Sequence, residues 1–99
     1  MLACAIMVIG LVEVHCSIPE AHSLKDKRQV IRSLKDRVMN TMNVSVAETG
    51  RQDARQFADL AFVTVSARKE VVDKRFSALQ NVLETNPRLV LLDLHIQIL

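Results

Sequence analysis

Ninety-nine residues, 49% of them apolar, suffice for one core and are too few for two, so a single domain spanning 1–99 is expected. The formal charge of +2 hides an asymmetry: residues 24–39 hold Lys25, Lys27, Arg28, Arg32, Lys35 and Arg37 against only Asp26 and Asp36. The uncharged stretch 1–12 is shorter than the roughly 20 residues of a membrane span and lacks the basic flank of a signal peptide, so it reads as a buried strand.

From Val8 to Ile18 the even positions stay small or apolar (Val8, Gly10, Val12, Val14, Cys16, Ile18). The odd ones turn polar at Glu13, His15 and Ser17. Period two with β-branched residues predicts a strand with one buried face, ended by Pro19, which cannot donate to a sheet ladder. Cys4 and Cys16 share a parity. On one strand they would stand about 40 Å apart, beyond disulfide reach, so both read as reduced thiols.

Ser23 is a natural N-cap with Asp26 three residues on, predicting a helix from Leu24. Leu24, Ile31, Leu34 and Val38 form its apolar stripe, and Lys25, Arg28, Arg32 and Lys35 align along one flank at spacings of three and four. Asn43 to Thr49 alternates as a second strand with Val44 and Val46 inward, and residues 51–59 lack a period and read as loop or a short helical turn. Leu60 to Ser66 is a third strand, with Ala61, Val63 and Val65 on one face and Leu60, Phe62 and Thr64 on the other. Arg68 to Thr85 repeats Val72, Phe76, Leu79 and Leu83 at helical spacing and stops at Asn86-Pro87. Val90, Leu92, Leu94, Ile96 and Ile98 then alternate to the C-terminus.

The order βαββαβ with right-handed crossovers predicts an α+β, ferredoxin-like two-layer sandwich. Its four-stranded antiparallel sheet should run 4-1-3-2, with both helices on one face and the other face open.

Ile18-Pro19, Ser23 to Arg28 with Val30, Ser33 and Leu34, Asn43 to Glu48, and Gln52, Asp53 and Gln56 together resemble the YlxP-like family, a bacterial family of unknown function. With Ile96 and Leu99 at the terminal strand, the resemblance covers nearly the whole chain from Met7. It implies a bacterial cytoplasmic protein whose genetic neighbourhood is that of translation initiation and ribosome maturation. Against that pattern, Met1 to Ile6 is an extension or an over-called start, and Arg55 stands where the family's loop usually carries a tryptophan.

No constellation of nucleophile, base and oxyanion donors is visible, so no catalytic residue, cofactor or metal site is expected. His15 and Cys16, as strand neighbours, point to opposite faces, and no second closely spaced ligand pair accompanies them. An acylphosphatase-like phosphate cradle would need glycine and arginine between the first strand and helix, where Pro19-Glu20-Ala21-His22 stands. Two surfaces remain. The basic flank Lys25, Arg28, Arg32 and Lys35, extended by Arg51 and Arg55 if the loop folds toward it, suits structured RNA or a ribosomal particle. The open sheet face, expected to show Met7, Ile9, Leu11, Leu60, Phe62 and Leu91, suits a second copy in a homodimer or another protein or small ligand. A non-enzymatic adaptor is therefore expected.

Overall fold

The computed structural model describes residues 7–99; the expected extension 1–6 and Cys4 lie outside the described residues. Strand β1 is Val8–Ser17, helix α1 Leu24–Thr41, β2 Ser45–Gly50, β3 Phe57–Ser66, α2 Lys69–Thr85 and β4 Val90–Ile98. All pairings are antiparallel and the sheet runs β2-β3-β1-β4, which is the expected 4-1-3-2 read from the other edge. Helix α1 begins where its cap predicts. Ser23 Oγ accepts the Asp26 amide at 3.1 Å, and the Asp26 carboxylate accepts the His22 amide at 3.1 Å, satisfying two donors around the helix start reciprocally.

Both helices bury their stripes on one face of the sheet. Val30, Ile31, Leu34 and Val38 of α1 and Val72, Phe76, Leu79 and Leu83 of α2 join Val12, Val14, Cys16, Leu60 and Phe62 in a single core. Gly10 is part of the design of that contact: a Cβ there would stand 2.5 Å from Phe76 Cε2 and 2.7 Å from Val72 Cγ1, so only a bare backbone lets α2 lie this close to β1.

Three residues expected on the open face are not there. Leu60 and Phe62 are 1% and 0% exposed, paired with Val14 and Val12 and turned toward the helices. Strand β3 begins earlier than Leu60, at Phe57, and its inward row is Ala58, Leu60, Phe62 and Thr64. Thr64 is the polar member of this row. It is buried because its hydroxyl donates to the Asn43 carbonyl at 2.7 Å and accepts from Arg75 Nη1 at 2.8 Å. Leu91 is the third. A register shift sets it opposite Cys16 while Asp93 faces His15, so Leu92 is an extra residue and the parity of β4 reverses across it. Leu91 therefore packs against the core, and the open face carries Val90 in its stead, opposite Ser17.

Among the described residues no helix is long and apolar enough to cross a membrane.

Candidate functional site

Charge divides between the layers. Each of the four strands carries one carboxylate (Glu13, Glu48, Asp59, Asp93) and no Lys or Arg. Helix α1 carries six cations against two carboxylates, whereas the three cations of α2 are matched by three carboxylates. The positive surface is thus α1.

On that helix Lys25, Arg28 and Arg32 are exposed and Lys35 is half-buried. None of the four forms an ion pair among the described residues. Arg28, Arg32 and Lys35 line a shallow groove of about 300 Å³ between α1 and β2, shared with Asp36 and Glu48. Glu48 is already engaged: its Oε2 lies 2.8 Å from the ammonium of Lys27, which is only 1% exposed. This contact is an ion pair without hydrogen-bond alignment, since Glu48 Oε2 makes no hydrogen bond, whereas Lys27 Nζ donates to the Arg51 carbonyl at 2.8 Å. Lys27 was hidden in the basic run. The clue was the seven-residue gap in the apolar stripe between Leu24 and Ile31, which Lys27 fills at spacings of three and four.

Arg51 and Arg55 stand on the loop that folds toward the start of α1, and both guanidiniums are engaged. Arg51 sits in the left-handed region at φ 52°, and its guanidinium grips Asp59 through Nη2 at 2.6 Å and Nε at 3.0 Å while standing 5.1 Å from the centroid of Phe57. It is thereby held against the sheet, with its side chain still 42% exposed. Arg55 reaches back to the His22 carbonyl at 3.5 Å, at the approach to α1. The loop residues that carry the family resemblance are staples: Gln56 Nε2 donates to the carbonyls of Pro19 and Ala21 at 3.1 and 3.2 Å, and Gln52 Nε2 donates to the Glu48 carbonyl at 3.2 Å. Gln56 fixes the loop against the connection that leads into α1, and Gln52 ties it back to β2.

The open face has an apolar half and a polar half. Ile9 and Leu11 are half-buried, with Val63 and Val65 of β3 opposite them and 40% and 49% exposed, and Met7 just before β1 is exposed. Beyond them His15 Nδ1 lies 2.7 Å from Asp59 Oδ1, joining the Arg51–Asp59 pair, and His95 Nε2 lies 2.9 Å from Asp93 Oδ2. Among the described residues no group of three or more His, Cys, Asp or Glu is arranged to hold a metal ion.

Hydrogen bonds from Arg51 first and His15 second hold the Asp59 carboxyl down at about 2, against an ordinary 3.8. A carboxyl lowered by folding stabilises the native state fully above its ordinary value, and that contribution disappears as pH falls toward 2. The wild type should lose roughly 1–2 kcal/mol more stability than Asp59→Asn between pH 5 and pH 2, allowing for solvent screening. Paired urea melts across that range test it; parallel losses would show that the Arg51–Asp59–His15 chain is energetically silent.

The model of a family described as protein of unknown function (DUF503) matches residues 9–96. The uncharacterized protein YlxP of Bacillus subtilis (strain 168) is 33% identical over 82 residues, covering 83% of this chain and 89% of that one. Among solved structures, the de novo designed protein Foldit4 aligns with a TM-score of 0.52 at 10% identity, over 94% of this chain and 96% of that chain. The putative chlorite dismutase TA0507 aligns with a TM-score of 0.53 at 18% identity, over 93% of this chain and 42% of that one. At such identities these two likenesses are of fold alone.

Proposed function

Because the chain belongs to the family of proteins of unknown function DUF503, we propose a role from its surface: a non-catalytic cytoplasmic adaptor that docks structured RNA or a ribosomal particle on the basic flank of α1. The observation that carries this reading is the absence of any ion pair to Lys25, Arg28, Arg32 and Lys35 among the described residues, although they lie on one flank of one helix. Cations left without carboxylate partners in the fold are the ones available to phosphates, where each contact releases a counterion and adds a salt-dependent term. With Glu48 held by Lys27, Asp36 is the one unpaired carboxylate in the groove beside them.

Four phosphate contacts on double-helical RNA predict a log–log salt dependence of affinity of about −3 to −4, by analogy with about −0.9 per contact on duplex DNA. Fluorescence anisotropy with a structured RNA should show Arg28→Glu/Arg32→Glu binding far more weakly at low salt, with a flatter slope and unchanged base preference. Equal affinities for the two proteins would remove the RNA reading.

A second reading has its own observation. Met7, Val63 and Val65 present exposed apolar surface on the open side of the sheet, which fits a second copy of this chain, since closed two-fold dimers are the commonest assemblies. Light scattering that finds a monomer at tens of micromolar would dispose of it.

A further inference from the structure

The flank of α1 opposite the RNA groove faces α2, and there the helix layer opens into a cleft of about 570 Å³, within the size range of small-molecule sites. Three cations line it, Arg37 from α1 and Lys74 and Arg75 from α2, and no carboxylate does. Its apolar lining includes Met42, Val71 and Ala78. The geometry points to a binding site for a small amphipathic organic anion, a carboxylate or phosphate attached to an apolar body.

Each part of the cleft argues for one part of that ligand. Arg75 is fixed in place, with Nη1 donating to Thr64 Oγ1 at 2.8 Å and to the Val65 carbonyl at 2.9 Å. A guanidinium anchored through one nitrogen is oriented before a ligand arrives, so little rotamer freedom remains to be lost on binding. Arg37 and Lys74 make no side-chain hydrogen bond or ion pair among the described residues, leaving their charges uncompensated at the rim. Two carbonyls near this end of α1, those of Arg37 and Val38, are already engaged. Thr41 Oγ1 donates to the Arg37 carbonyl at 2.8 Å, and the Met42 amide donates to the Val38 carbonyl at 2.9 Å. The apolar side chains exclude a fully hydrated ion as the best occupant, because their surface is covered only by a ligand that brings apolar atoms of its own.

The test uses 8-anilinonaphthalene-1-sulfonate as the amphipathic anion and N-phenyl-1-naphthylamine as its uncharged counterpart, with fluorescence titration and amide chemical-shift mapping on the full chain. Saturable one-site binding of the sulfonate is expected, with the largest shifts at Met42, Val71 and Ala78. The neutral amine and the variant Arg37→Gln/Lys74→Gln should each weaken binding at least about tenfold, and the variant should melt as the wild type does. The proposal is overturned by sulfonate shifts that gather on Leu11, Val63 and Val65 of the open face, by equal affinity of the double variant or of the neutral amine, or by no saturation at all.

Discussion

Phe62→Glu is expected to abolish the folded state, while Val63→Glu, one residue along the same strand, leaves it intact. Phe62 is fully buried and faces Val12 of β1 and Val46 of β2 across the sheet. Removing a buried Phe costs about 3–5 kcal/mol, and a carboxylate forced into its place adds desolvation or protonation on top. That exceeds about 5 kcal/mol, the low end of the entire stability of an ordinary domain. Val63 points the other way and is 40% exposed, so a charge there should cost within about 1 kcal/mol. Far-UV circular dichroism and thermal melts separate the two. A cooperative, wild-type-like melt for Phe62→Glu would mean that β3 presents its other face to the helices. Val63→Glu also probes assembly: if a second copy covers the open face, this variant should scatter light as a monomer at concentrations where the wild type is a dimer, because an unpaired ion is not buried cheaply.

Lys27→Met should lower stability by about 3 kcal/mol, a fall in melting temperature of roughly 12–24 °C for a domain of this size. Lys27 is 1% exposed, and its ammonium serves both the Glu48 carboxylate and the Arg51 carbonyl. Methionine keeps the stem but leaves Glu48 Oε2 buried without the ammonium that faces it, and it frees the backbone of a residue held in the left-handed region. Breaking one half of such a pair is costlier than replacing both halves with apolar groups. Lys27→Met/Glu48→Leu should therefore recover most of the loss. Urea melts of the wild type, the single and the double variant decide this: a single variant within 1 kcal/mol of wild type would show that the pair contributes nothing.

The element order and sheet topology were legible because each signal was local. Alternation through Val8 to Ser17, the Ser23–Asp26 cap and the stop at Asn86-Pro87 are properties of neighbouring residues, and all three reappear in place. What failed depends on residues distant in the chain. The buried face of β3 is not set by its own residues, because both of its rows are largely apolar and Thr64 meets its partners Asn43 and Arg75 only in the folded chain. The parity of β4 reverses at an extra residue, Leu92, that leaves no mark on an alternating pattern. The buried member of the basic run, Lys27, looks like its neighbours by composition and differs only in lying on the stripe. Of the site candidates, Lys25, Arg28, Arg32 and Lys35 do share one flank as the spacing implies, whereas the engagement of Arg51 with Asp59 requires the hairpin to be closed.

Cys16 faces the helices from the middle of the sheet, 1% exposed, its thiol directed at the Ala58 carbonyl at 3.6 Å. Burial first, and the nearby Asp59 charge second, push it up to about 11, so at neutral pH almost no thiolate forms while the protein is closed. Attack by a maleimide or disulfide reagent must then wait for the strand to come away from its neighbours. In a Cys4→Ser background, the labelling rate of Cys16 becomes a clock for conformational opening, reporting under native conditions how often the core is breached.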